Sequence, residues 1–230
     1  MTGHHRAAHG FDDAQAVAGY AKRPPQFVPG FADMQRMAML LLAERSPPDA
    51  RVLVLGAGGG LELDLFARDQ AGWQFDGIDP SRAMLQLAQS RLEPYGARVR
   101  LVEGYIDAAP PGPFDAACSL LTLHFIAREE RRRTLEQVRA RLRKGAPFVC
   151  AHFSYEQQSP DRARWLSRYV AFAVSLGIAR SEAEQAGAAI DARLPILSPV
   201  DDENVLQEAG FGDIETFYVG FGFRGWVAIA

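Results

Sequence analysis

The chain has 230 residues, 48% of them hydrophobic, and a formal net charge of −3. No apolar run approaches the roughly 18 residues that a bilayer-spanning helix requires, so the composition points to one globular domain with a substantial core and excludes a helical membrane protein. A weakly acidic total argues against nucleic acid, whose binders present a basic face, and favours a small-molecule partner.

The first ten residues carry neither the apolar core of a secretion signal nor a membrane anchor, so the expected location is the cytoplasm. His4, His5 and His9 read as part of a polar tail, and nowhere do His, Cys and carboxylate residues recur at metal-ligand spacing, so no metal is expected. Apolar residues at three- and four-residue spacing predict a helix over 31–45.

Val52, Leu53, Val54 and Leu55 then read as a buried parallel strand over 51–55. It runs directly into Gly56-Ala57-Gly58-Gly59-Gly60 and a helix over 61–69. A bend with so little side chain lets the backbone approach a ligand, and the free N–H groups at the helix start favour an electron-rich one. A second strand over 73–78 ends at Asp79-Pro80-Ser81, with Ser81 as N-cap of a helix over 82–92 that includes Met84. A carboxylate at that tip, roughly 20 residues past the glycines, suits a ribose diol. Both a dinucleotide and S-adenosylmethionine offer one. Counting from Gly56, the sixth position is Leu61 where the dinucleotide fingerprint has Gly or Ala, which disfavours NAD.

Further strands are predicted over 98–102, 114–119, 146–153, 213–219 and 222–229, alternating with helices over 128–143 and 201–209, and Gly145 and Gly210 stand where those helices stop. The alternation gives an α/β fold with helices on both faces of a mostly parallel sheet, and the last two strands, joined by a short glycine turn, form an antiparallel hairpin. Cys118 and Cys150 fall inside apolar strands and read as buried small hydrophobes. The charged run from Arg128 to Arg133 reads as a solvated, internally paired helix face, with Leu135, Val138 and Leu142 toward the core.

The bend after 52–55 together with Gly77-Ile78-Asp79-Pro80-Ser81 resembles the first two motifs of class I S-adenosylmethionine-dependent methyltransferases, and the resemblance runs from about residue 27 to the C-terminus apart from 156–198. It implies a Rossmann-like, seven-stranded sheet with a reversed last strand. It also implies S-adenosyl-L-methionine as cofactor, S-adenosyl-L-homocysteine as product, and Gly56, Ala57, Gly58, Gly60, Asp79, Pro80 and Met84 as contacts. After the third strand, Gly104-Tyr105-Ile106 stands where the family often has Gly-Asp-Ala. Tyr105 and Ile106 would flank the adenine, and Asp107 or a backbone carbonyl would take its amine. Ser119, Leu120 and His124, in the segment after the fourth strand, would pass beside the methionine end.

Residues 11–31 resemble the N-terminal lid of small-molecule methyltransferases and of carboxy-S-adenosylmethionine synthases, which implies that Tyr20 and Arg23 close on the cofactor's methionine end. Residues 1–50 are thus expected to form a helical lid, 51–155 the cofactor-binding core, 156–198 a helical insert, and 199–230 the helix and hairpin that complete one domain. The insert reads as two helices, 161–176 and 181–190, hinged at Gly177. It is read either as a substrate lid carrying Trp165, Tyr169, Phe172 and Leu176, or as an extra helical pair or dimer surface. Candidate catalytic groups are His124, His152 and Tyr155. The expected activity is methyl transfer to a small acceptor. Production of a modified sulfonium cofactor, nicotinamide chemistry and non-catalytic binding are the alternatives.

Overall fold

Past Arg51, strand β1 (Arg51–Leu55) is apolar and buried on both faces, as a strand covered by helices on both sides must be. In this computed structural model, which describes residues 23–230, it pairs in parallel with β2 (Gln74–Asp79) and β4 (Ala116–Leu120). β3 (Val99–Glu103) adds in parallel beside β2, and β5 (Pro147–Phe153) beside β4. β7 (Phe223–Ile229) then runs antiparallel to β5, and β6 (Gly212–Gly220) antiparallel to β7. The order is β3-β2-β1-β4-β5-β7-β6, with every expected strand present and the expected reversed hairpin at one edge. The fourth strand starts two residues late because Phe114 makes only an isolated bridge to Leu142. The residues that carry His4, His5, His9 and Tyr20 lie outside those described.

A short helix, α1 (Arg23–Phe27), precedes α2 (Phe31–Ala43) and has no counterpart in the sequence reading. α3 (Leu61–Asp69), α4 (Arg82–Arg91) and α5 (Arg128–Arg141) lie where apolar spacing predicts them. Ser81 caps α4 by accepting from the Met84 N–H at 3.2 Å. The insert forms α6 (Asp161–Ser175) and α7 (Arg180–Arg193), and α8 (Pro199–Glu208) follows.

On one face of the sheet, α2 and α3 pack against Val52, Val54, Cys118, Val149 and Phe153. On the other, α5 and α8 pack against Leu53, Leu55, Phe148, Cys150 and Trp226. Alternation along each strand assigns neighbours to opposite cores. A third, small core joins Phe27, Ala173 and Ala183, so α1, α6 and α7 form one helical cap. Both cysteines are free and buried, and burial pushes their thiols up.

Two local expectations are corrected. Arg132 and Arg133 do pair with Glu129, Glu130 and Glu136 on a solvated face, but Arg131 in the same run is fully buried. The final hairpin turns at Phe221-Gly222, and it is Phe221, not glycine, that takes a positive φ of 52°. The Arg224 guanidinium donates to the Phe221 carbonyl at 2.6 Å and holds the turn. Among the described residues no helix is long and apolar enough to cross a membrane.

Candidate functional site

Strand order reverses between β1 and β4, and in an open α/β sheet the crevice at the carboxyl ends of such a pair is where ligands bind. One residue gathers the loops there. The Asp79 carboxylate accepts from the Gly58 N–H (Oδ2, 2.9 Å) and the Ser81 N–H (Oδ1, 2.8 Å), and its carbonyl accepts from the Gly104 N–H at 3.0 Å. The Gly56 and Ala57 N–H groups both donate to the Ile78 carbonyl, at 2.8 and 3.0 Å. The loops after β1, β2 and β3 are thereby tied to the tip of β2. Burial raises the Asp79 carboxyl above its ordinary value, and the Ser81 and Gly58 N–H bonds oppose that rise. Each carboxylate oxygen keeps further acceptor capacity for a diol.

The bend after β1 is also pressed against the segment after β4. Gly56 has φ 78°, and a Cβ built there would lie 1.9 Å from Thr122 Oγ1, so no other residue fits. Thr122 Oγ1 in turn donates to the Leu120 carbonyl at 3.1 Å, and Leu121 holds a φ of 57° while its N–H donates to Ala151 at 2.6 Å. A left-handed leucine costs about 1 kcal/mol or more and persists only where its surroundings fix it. Gly104 has φ 146°, and a Cβ there would come within 2.6 Å of Ala108.

The expected cofactor contacts divide in two. Gly56, Ala57, Gly58, Gly60, Asp79, Pro80, Gly104 and Tyr105 lie on the three loops that Asp79 joins, with Tyr105 exposed and Ile106 and Met84 buried behind them. Ser119 instead sits wholly inside β4, where its hydroxyl has no hydrogen-bond partner among the described residues, and Leu120 is buried beside it. Arg23 is engaged elsewhere, pairing with Glu182 of α7 at 3.2 Å and lying over the Phe27 ring.

The candidate proton-transfer groups are interior. His124 Nδ1 accepts from the Phe153 N–H at 3.3 Å, which leaves the proton on Nε2, and its ring packs against Phe125 and Phe153. Burial first, then His152 and Arg131, hold its pKa well below the ordinary value. His152 is buried against Trp226, with Nε2 3.2 Å from Asp202 Oδ1. Burial lowers its pKa too. Tyr155 is buried, and that pushes its phenol up to about 12. None of the three is poised to take a proton near neutral pH.

Three features escaped the sequence reading. Thr122 is one, and nothing in a single sequence marks it. Glu62 is another: α3 turns Glu62, Leu63, Phe66 and Ala67 inward, and burial pushes the Glu62 carboxyl up to about 8 with Asp79 adding to the effect. The i, i+4 relation to Phe66 was the available signal. The third is the buried pair Arg131–Asp202, with Arg131 also donating to the carbonyls of Ile126 (3.0 and 3.2 Å) and Pro195 (3.1 Å).

The cap closes over the end of β5. Tyr169 stacks on Phe27 at 5.4 Å between ring centroids and meets Phe153 edge-on at 5.5 Å, while Trp165 lies under Arg168 and Arg224. Phe172 meets Phe221 at 6.1 Å, and Leu176 is exposed.

Residues 52–145 match the family model described as a methyltransferase domain. The seven-stranded sheet with its reversed last strand is the Rossmann-like fold of S-adenosylmethionine-dependent methyltransferases. Among similar proteins, the carboxy-S-adenosyl-L-methionine synthase of Campylobacter fetus subsp. fetus is 24% identical over 217 residues, covering 94% of this chain and 92% of its own length. That of Desulfotalea psychrophila is 26% identical over 207 residues, covering 88% and 84%. The fold is similar to that of Haemonchus contortus phosphoethanolamine N-methyltransferase 2 in complex with S-adenosyl-L-methionine, with TM-score 0.70 at 15% identity over 99% of this chain and 60% of that one. Human N-acetylserotonin methyltransferase in complex with the same molecule gives 0.68 at 12%, over 100% and 60%.

Proposed function

We propose that the protein binds S-adenosyl-L-methionine in the Asp79 cradle and transfers its methyl group to a small-molecule acceptor. The observation that carries this reading is the Asp79 carboxylate, fixed by the Gly58 and Ser81 N–H groups at the strand-order reversal. In this reading Asp79 takes the ribose diol, Gly104, Tyr105 and Ile106 border the adenine, and the segment from Leu120 to His124 borders the methionine end.

The cofactor supplies a methyl group already activated by its positive sulfur. What the chain contributes is alignment and exclusion of water. The Thr122–Gly56 contact and the left-handed Leu121 fix the segment beside the methionine end, and the aromatic cap of Phe27, Tyr169 and Trp165 covers the side from which an acceptor would enter. His124 and His152 stay neutral and Tyr155 stays protonated, so they shape the acceptor side instead of drawing off its proton. The partition into a lid, a core, an insert over the active site and a closing hairpin belongs to the same reading, as does a small-molecule acceptor in place of nucleic acid.

Calorimetry with S-adenosylmethionine, S-adenosylhomocysteine and NADH tests the binding half. Micromolar uptake of the first two and none of the third is expected, and preference for NADH would overturn it. Incubating the protein with a metabolite extract and methyl-labelled cofactor tests the transfer half, where a labelled small molecule is expected and persistent absence of one favours a binder.

A second reading is favoured by a specific observation, the carboxy-S-adenosyl-L-methionine synthases that match along 94% of the chain at 24% identity. Mass spectrometry of the nucleoside products separates the two: a carboxylated sulfonium appearing without any methylated acceptor would make the protein a synthase.

A further inference from the structure

Glu62 is the residue of this site that the reading above leaves without work. It lies two positions past the glycine bend, on the inward side of the first turn of α3, and it is 7% exposed. Among the described residues no ion pair reaches it. A carboxylate taken out of water without a counter-ion is costly and gives up its charge instead, unless a cation arrives. Burial outweighs the lowering effect of its own backbone N–H and of the Arg91 guanidinium on α4, and the Asp79 carboxylate adds to the rise. Because α3 starts at Leu61, directly after the glycine bend, and turns Glu62 inward, its carboxyl lies on the buried side of that bend. Arg91 donates its Nε to the Gly59 carbonyl at 2.9 Å, and among the described residues no ion pair joins it to Glu62.

A ligand with its ribose on Asp79 and its amino-acid end beside residues 120–124 crosses above this point. We propose that Glu62 is the buried counter-ion of the ligand's α-ammonium group, completed as an ion pair only when the amino-acid end is in place. The inference rests on the proposed S-adenosylmethionine site. In the free protein Glu62 holds its proton up to about pH 8, so pairing at lower pH must release that proton. The ammonium itself loses its proton near 7.7 to 8.0, so affinity through this pair should peak close to pH 8 and fall on either side. Among the described residues, Asp79, Arg91 and Cys118 are the titratable groups that act on Glu62. Burial raises the Asp79 carboxyl against the Ser81 and Gly58 N–H bonds, and the thiol stays protonated because burial raises it.

The test compares wild type and Glu62→Gln, an isosteric change, by calorimetry from pH 6 to 9 in buffers of different ionisation enthalpy. The probes are S-adenosylmethionine, S-adenosylhomocysteine and 5′-methylthioadenosine, which has the adenosine but no amino-acid end. The wild type should release close to one proton per S-adenosylmethionine or S-adenosylhomocysteine bound at pH 6.5. Glu62→Gln should release none and bind both at least tenfold more weakly at pH 8. Methylthioadenosine should bind the two proteins alike, which also reports that the variant is folded. Equal affinity of both proteins for all three probes overturns the inference while leaving the cradle intact. Weakening for S-adenosylmethionine alone also overturns it, because the cation would then be the sulfonium. If the wild type takes up none of the probes, the underlying reading falls and this inference with it.

Discussion

Replacing Asp202 by Asn asks what the buried Arg131–Asp202 pair contributes. Both side chains are essentially inaccessible to solvent. Arg131 would keep its bonds to the Ile126 and Pro195 carbonyls, but these satisfy its N–H groups without neutralising its charge. Breaking a buried pair by removing one partner costs about 3–5 kcal/mol; Asn retains a dipole in place, so about 3 kcal/mol is expected for Asp202→Asn. Arg131→Met leaves the Asp202 charge and also strands the two carbonyls, each of which costs roughly 1–3 kcal/mol when buried and unpaired, so it should cost more, about 5 kcal/mol. The double variant removes both charges. It should therefore be less damaging than the sum of the singles by about 2 kcal/mol or more. Urea unfolding followed by circular dichroism measures all three against a total stability of order 5–15 kcal/mol. Single variants each costing less than about 1 kcal/mol, or a strictly additive double, would refute the assignment of a fixed ion pair.

Asp79→Asn should weaken S-adenosylmethionine binding by about 10- to 100-fold, from loss of charge-assisted acceptance worth roughly 1.5–3 kcal/mol, and unchanged affinity by calorimetry removes the cradle. Gly56→Ala should abolish binding and lower the melting temperature, because its methyl would overlap Thr122; adding Thr122→Ala should recover part of the stability but not the cost of the positive φ. Both His124 and His152 are buried with pKa values below the unfolded 6.5, so the unfolded chain binds more protons there and stability should fall as pH drops below about 6.5. His152→Gln should flatten that fall in a denaturation series from pH 7 to 5, and an unaltered slope would show that His152 is not buried as a neutral ring. Tyr169→Ala removes an aromatic that joins α6 to Phe27 and Phe153, and it should cost about 3–5 kcal/mol if the cap belongs to the core; a loss below 1 kcal/mol with transfer abolished would instead mark Tyr169 as an acceptor contact.

The cradle was legible because its chemistry is local. A run such as Val52 to Leu55 can only be a covered strand, Gly56 permits an approach that no other residue allows, and Asp79 falls at a strand tip that periodicity alone places within a residue. The catalytic candidates were not legible for the opposite reason. Whether a histidine faces a ligand or a core depends on which of two faces a strand end presents and on what packs there. His152 pairs in register with Arg224 but belongs to the α8 face, where Asp202 waits 50 positions further along the chain. Arg131 shows the same limit, since its neighbours Arg132 and Arg133 are solvated and only the arrival of α8 makes one arginine of the run an interior residue.

That interior arginine also bears on the site. Through Ile126 it holds the end of the segment that begins at Leu121, through Pro195 it holds the chain as it leaves the insert, and through Asp202 it holds the first turn of α8. The post-β4 segment is thus fixed at both ends, by the Thr122–Gly56 contact at its start and by Arg131 at its finish, with the His124 ring locked between them on the Phe153 N–H. A nucleophile and a methyl group must be aligned to within a fraction of an ångström for positioning to carry the acceleration, and a wall clamped in this way meets that demand better than a free loop. The same clamp links the wall to the cap, so a change in how α6 and α7 sit would reach the proposed methionine end through Pro195 without touching the cradle. In the proposed reading the adenosine end is therefore rigid by local backbone constraint, whereas the acceptor end is rigid through long-range pairing.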